Sequence, residues 1–139
     1  MLPATSNLKF IRIKFAIHHN TMYHCSMYSR ELLKGILKPI ILKLLSEEEK
    51  MYGYEIVQKV KEKTEGKLLI KEGSLYPTLH ALTTEGYLTT ESVIVDSRTR
   101  KYYSLTNKGK GLAIPAIQEL FDFQATLKLI FGNKNPAIS

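Results

Sequence analysis

The sequence predicts a small, mostly α-helical domain that carries one β-hairpin and ends in a long helix. Three observations predict it. Apolar residues recur in steps of three and four along four separate segments. One stretch, residues 87–105, switches instead to β-branched and aromatic residues on either side of a polar tip. The 139 residues suffice for one domain and fall short of two ordinary ones.

The elements follow in order. In residues 31–45, Leu32 and Leu33, Ile36 and Leu37, Ile40 and Ile41, and Leu44 and Leu45 form pairs four apart, a continuous stripe on one helix face. Pro39 lies inside it and demands a kink or a restart there, because proline lacks a donor and crowds the preceding turn. Ser46 to Lys50 is charged and reads as an exit loop, with Glu47, Glu48 and Glu49 in solvent. Gly53 opens a second helix to about Thr64, with Ile56, Val57 and Val60 inward and Lys59, Lys61, Glu62 and Lys63 outward. Gly66 is its stop. Leu68 to Ile70 suits a short strand. A third helix starts near Ser74, which as N-cap places Pro77 in the first turn. Leu75, Leu79 and Leu82 make its buried stripe, and Gly86 ends it. The hairpin runs out through Tyr87, Leu88, Thr89, Thr90, Val93, Ile94 and Val95 and returns through Lys101 to Leu105. Its return strand has Tyr103 and Leu105 on one face and Tyr102 and Ser104 on the other. Thr106 caps a last helix, which Pro115 interrupts or resets, and Gly132 closes it.

Three small helices followed by a two-stranded wing form the winged helix-turn-helix arrangement. The chain divides into an N-terminal extension (1–27), a winged helix-turn-helix domain (28–106), a C-terminal helix (107–132) and a tail (133–139). The extension holds three basic residues and no acidic ones. It reads as a poorly ordered segment, with Met22 and Met27 as alternative starts, or as a basic arm against DNA phosphates.

Composition narrows the function. Lys and Arg number 20 against 13 Asp and Glu, a formal net charge of +7 that suits a polyanionic partner. No apolar run approaches a membrane span, and no secretory signal is evident. A single cysteine, Cys25, cannot form an internal disulfide, which fits a reducing, cytoplasmic setting. His18, His19, His24 and Cys25 match no standard zinc spacing, so no metal is expected. Ser74 and His80 lie about 9 Å apart along one helix and have no orienting acid, so no catalytic residue is assigned and no enzyme is expected. No phosphate-binding glycine loop appears.

The third helix carries the candidate site. Opposite its leucines lie Ser74, Pro77, His80, Ala81 and Thr84, with Tyr76 at the edge, a small polar face of the kind that enters a major groove. Ser74 and the first backbone amides suit a phosphate. At the hairpin tip, Arg98, Arg100 and Lys101 are opposed only by Asp96 and suit phosphate or minor-groove contact. Neither feature is specific alone, since such residues are common on any surface. Their adjacency is more specific. Beyond Pro115, Ala116, Leu120, Phe123, Leu127 and Ile130 alternate in steps of four and three, a short heptad-like seam.

Four blocks in consistent order, from about Leu32 to Gly109, carry a family resemblance. Met51-Tyr52-Gly53-Tyr54-Glu55-Ile56 resembles the opening of the second helix in PadR-like regulators. Glu72 to Leu82, reading EGSLYPTLHAL, resembles their recognition-helix signature. Glu85-Gly86-Tyr87-Leu88 resembles the turn into the wing, and Arg100 to Thr106 followed by Gly109 resembles the return strand. The resemblance implies a homodimeric repressor of the short branch, dimerised through its C-terminal helix on an inverted-repeat operator in double-stranded DNA. It implies DNA contacts at Ser74, Tyr76, Pro77, His80, Arg98, Arg100 and Lys101, and a backbone contact at Tyr54, which suits a half-buried core position equally well. It also implies an effector pocket between the first and last helices, its ligand open. Ala81 stands where relatives often carry a cation, which leaves base reading to Ser74, Tyr76 and His80. Lys50 replaces a common proline. Tryptophan is absent, so relatives that stack aromatic drugs on tryptophan are a poor guide to this chain. The competing reading is a winged-helix adaptor for protein contacts without specific DNA binding.

Overall fold

A computed structural model describes residues 27–134. The elements are α1 (Arg30–Lys34), α2 (Leu37–Glu47), β1 (Met51–Tyr52), α3 (Gly53–Lys63), α4 (Glu72–Thr84), β2 (Leu88–Val95), β3 (Arg98–Leu105) and α5 (Asn107–Phe131). The strands form one antiparallel sheet in the order β1-β3-β2. The expected winged helix-turn-helix with a long last helix is therefore present, mostly helical with a small sheet. The extension with its histidines and Cys25 lies outside the described residues, apart from Met27.

One core holds the small domain together. Leu37, Ile41, Leu44 and Leu45 of α2 meet Ile56 and Val60 of α3, Leu75, Leu79 and Leu82 of α4, and Met51, Leu88 and Tyr103 of the sheet. Each such aliphatic side chain, fully buried, contributes about 1.5–3 kcal/mol. Leu42 and Ala113 are buried apart from this cluster, on α2 and α5, the two helices that pack together.

The structure corrects the sequence reading at five places. The break in the first stripe falls at Gly35 and Ile36, not at Pro39, which occupies the first turn of α2, where its missing donor costs nothing. Leu32 is accordingly exposed on the detached α1. Glu47 ends α2 instead of entering a loop, and its carboxylate pairs with Lys43 at 3.0 Å and Lys63 at 3.2 Å. Hydrogen bonds from these two ammonium groups hold its carboxyl below the usual carboxylate range. Glu48 pairs with Lys59 at 2.8 Å, so two consecutive glutamates tie α2 to α3.

Leu68 to Ile70 form no strand; the third strand is β1, which pairs Met51 with Tyr103 and Tyr52 with Tyr102. Ser74 is not the N-cap of α4. Lys71 is, its extended backbone oxygen accepting from the Ser74 and Leu75 amides at 3.0 Å, and Pro77 sits inside the helix. Finally, α5 runs through Pro115 without interruption.

Other expectations hold. Gly66 stops α3 at φ +76°, its amide donating to the Lys61 oxygen at 2.8 Å. Thr106 caps α5, its hydroxyl accepting from the Gly109 amide at 3.0 Å. The same hydroxyl donates to the Gly86 oxygen at 2.7 Å, and Lys108 Nζ donates to the Glu85 oxygen at 2.7 Å. The start of α5 is thereby fastened to the end of α4. Gly109 is buried so closely against the Tyr87 oxygen that a Cβ there would collide with backbone, whereas Gly111 on the same helix faces open space.

Gly109→Ala should therefore destabilise the domain by about 1–3 kcal/mol in urea denaturation, as overpacking does. Gly111→Ala should stabilise it by about 0.5–1 kcal/mol through helix propensity. Equal effects at the two positions would refute this account of the joint.

Candidate nucleic-acid interface

The leucine stripe decides what α4 exposes. Leu75 and Leu79 are fully buried and Leu82 nearly so, which turns Ser74, Pro77, His80, Ala81 and Thr84 outward. Tyr76 is 45% exposed. The helix closes on a turn in which Gly86, at φ +81°, donates to Thr83 while Tyr87 donates to Leu82. The turn after it is gripped from both sides. Lys38 lies 5.4 Å and Lys108 4.7 Å from the Tyr87 ring centroid, and Lys38 reaches Glu85 at 3.9 Å. Ser74, Tyr76, Pro77, Ala81 and Thr84 carry no charge and Glu72 is the one acidic residue of the helix, so the face is polar and small with no lysine or arginine.

Tyr76 is seated by α3. A Cβ added at Gly53 would lie 2.7 Å from its Oη and 2.9 Å from its Cζ. The ring of Tyr76 thus occupies the space that glycine leaves at the start of α3. Tyr103 lies beneath, its phenol pushed up by burial and, secondarily, by the neighbouring Tyr76.

The hairpin turns tightly. Val95 pairs with Arg98, and the two residues between them, Asp96 and Ser97, both adopt left-handed conformations at φ +47° and +62°, the geometry of a two-residue hairpin turn. Register then divides the three wing cations, which the sequence groups together. Lys101 lies opposite Ser92 on the face of buried Tyr103, its ammonium 5.7 Å from that ring centroid. Arg98 and Arg100 alternate onto the other face with Tyr102.

On that second face the structure builds an array that sequence reading missed. Tyr52 stacks on Tyr54 at 6.3 Å and 19°, and meets Tyr102 edge-on at 5.5 Å and 71°. The Arg100 guanidinium lies 4.9 Å from the Tyr52 ring centroid. Lys50 lies 5.3 Å from the Tyr102 ring and pairs with Glu91 at 3.0 Å. That hydrogen bond raises the Lys50 pKa. The signal that could have found the array was interleaving: tyrosines and cations alternate in Lys50-Met51-Tyr52 and Arg100-Lys101-Tyr102-Tyr103. Tyr54, second in α3, is 55% exposed, which excludes the core alternative for it.

On α5, Ala116, Leu120 and Leu127 are half-buried, while Phe123 and Ile130 are 56% and 74% exposed. Phe121, Leu129 and Phe131 add further exposed apolar surface around the same turns. Between α2, α3 and α5 opens an apolar cleft of about 310 Å³, walled by Ile40, Leu44, Val60, Ile117, Leu120 and Phe121, in the region to which the family resemblance assigns an effector pocket. Among the described residues, no group of three His, Cys, Asp or Glu could hold a metal, and no helix is long and apolar enough to cross a membrane.

The model of the transcriptional regulator PadR-like family matches residues 41–113, more than half of the chain. The chain belongs to the PadR-like family of transcriptional regulators. An uncharacterised protein of Lysinibacillus sphaericus is 31% identical to this PadR-like chain over 107 residues, 74% of this chain and 94% of that one. A transcriptional regulator from Clostridium thermocellum is similar in structure at TM-score 0.62 and 30% identity, over 76% of this chain and 99% of its own. A PadR-like transcription factor from Bacteroides fragilis is similar at TM-score 0.58 and 34% identity, over 72% and 94%. The PadR-like family is one of regulators and not of enzymes.

The seating of Tyr76 is testable. Gly53→Ala should leave the urea midpoint almost unchanged, since a flexible side chain can yield, but should shift the Tyr76 ring resonances in NMR spectra. Unmoved Tyr76 signals would refute the contact.

Proposed function

We propose that this PadR-like protein is a cytoplasmic homodimer that binds double-stranded DNA sequence-specifically and represses transcription by occupying an inverted-repeat operator. One observation carries the reading: α4 stands with its leucines locked inward and Tyr76 and His80 outward, beside a cationic hairpin. Ser74, Tyr76, Pro77, His80 and Thr84 form the groove-reading face. Tyr54 and the wing residues Arg98, Arg100 and Lys101 flank it along the phosphate backbone. The overall charge of +7 supports a polyanionic partner.

Ala116, Leu120, Phe123, Leu127 and Ile130 form the self-association seam. Its support is the exposed apolar end of α5, because a helix apolar on nearly every side is normally buried. Two copies would set two recognition helices about 34 Å apart, in successive major grooves. A small molecule in the cleft between α2 and α5 would sit where it could bias that geometry.

Two experiments test this. Selection from random duplex DNA should enrich a two-fold symmetric site. Arg98→Ala with Lys101→Ala should then weaken binding to every sequence and lower the log-log salt slope by about 0.9 for each phosphate that is no longer neutralised. Tyr76→Ala or His80→Ala should instead change base preference, worth about 1–3 kcal/mol per discriminated position. Enrichment of no motif would favour the protein-contact adaptor.

For self-association, light scattering should give twice the monomer mass at micromolar concentration. Ile130→Asp with Phe123→Asp, both exposed within one protomer, should halve it without reducing helix content. A monomeric native protein would defeat the seam.

A further inference from the structure

We propose that Arg100 is a positioning residue: its guanidinium over the Tyr52 ring fixes the Tyr52–Tyr54 pair and so aims the Tyr54 hydroxyl at a DNA phosphate. The inference rests on the DNA-binding reading above and refines it: that reading sets Arg100 along the phosphate backbone with the other wing cations, whereas here Arg100 acts on the phosphate through Tyr52 and Tyr54.

The geometry separates Arg100 from its neighbours. Arg98 is exposed at the hairpin turn and Lys101 lies on the opposite face of the strand. Arg100 is half-buried, and its guanidinium lies over the Tyr52 ring at 4.9 Å. Among the described residues Arg100 takes part in none of the five ion pairs, and its guanidinium lies against the Tyr52 ring. A planar guanidinium suits that role better than an ammonium, because it stacks flat and is less strongly hydrated.

Tyr52 transmits the constraint. Its backbone amide donates to the Glu55 carboxylate at 3.0 Å, which fixes the residue at the start of α3. Its backbone also pairs with Tyr102 in the sheet. With the main chain and the ring of Tyr52 held, the near-parallel Tyr54 ring has a fixed surface to rest on. Tyr54 stands on the first turn of α3, more than half exposed, beside Glu55, whose carboxylate already takes the Tyr52 amide. A hydroxyl on a rotatable ring binds phosphate weakly, and a clamped ring loses less freedom on binding.

A double-mutant cycle on the intact protein, read by DNA-binding titration at several salt concentrations, tests this. Tyr54→Phe removes only the hydroxyl and should weaken binding about fivefold, the scale of one hydrogen bond. Arg100→Lys keeps the charge but loses the planar guanidinium over the ring. It should weaken binding by a similar factor with an unchanged salt slope, and Tyr54→Phe should cost almost nothing further in that background. In the free protein, Arg100→Lys should shift the ring resonances of both Tyr52 and Tyr54. Full binding by Arg100→Lys, or additive effects of the two changes, would overturn the proposal. So would a salt slope about 0.9 lower in Arg100→Gln, since that marks a direct phosphate contact. Absence of salt-dependent DNA binding by the unaltered protein would instead remove the DNA-binding reading, and this inference with it.

Discussion

The burial of three leucines holds this molecule's function in place. Leu75, Leu79 and Leu82 enter a core shared with α2, α3 and the sheet, and that single packing relation fixes the rotation of α4 about its own axis. A turn of 100° per residue then leaves no choice about which side chains look outward. The helix has little amphipathic contrast, because its outward face is itself small and only weakly polar: proline, alanine, threonine, histidine. It faces outward because the leucines are claimed elsewhere. Replacing any of the three by a smaller side chain would leave a cavity and loosen the orientation of the face behind it.

Where local chemistry and tertiary packing agree, the fold is legible in the sequence. The stripes of α2 and α4, the glycine stops at Gly66 and Gly86, the hairpin and the Thr106 cap are all readable, because each depends on residues within a turn or two of one another. Misreadings arise where competing local signals have similar strength. Pro39 and Pro115 both look like breaks. Pro39 is an opening-turn residue, since the preceding Gly35 supplies the break, and α5 absorbs Pro115. Ser74 has the right chemistry for a cap, yet the helix begins at Glu72 with Lys71 in the extended position before it. β1 is only two residues long and exists because β3 lies beside it, so no local pattern could reveal it.

The candidate site is legible in outline and not in its internal order. Residue types place the candidate face of α4 and the cationic wing. The division of Lys101 from Arg98 and Arg100 needs the exact register across the hairpin, and the tyrosine array needs β1. Its parts come from residues about fifty apart in the chain, which no short window contains. The ion pairs add a contrast. Among the described residues, Lys43, Lys50, Lys59 and Lys63 are all matched with carboxylates, and Arg98 and Lys101 are in no ion pair. The net positive charge is therefore unevenly distributed, and the unmatched part includes the wing.

The fastening of α4 to α5 has a geometric consequence. Glu85, Gly86 and Tyr87 are held by Thr106 and Lys108 within the first turn of the last helix. In a pair of such molecules joined along that helix, no slack remains between the handle and the blade. A few degrees of tilt between the two handles would swing the two blades apart by ångströms, enough to miss the pitch of the double helix. Control of the regulator would then need no local unfolding, only a small change in the angle at which two rods cross.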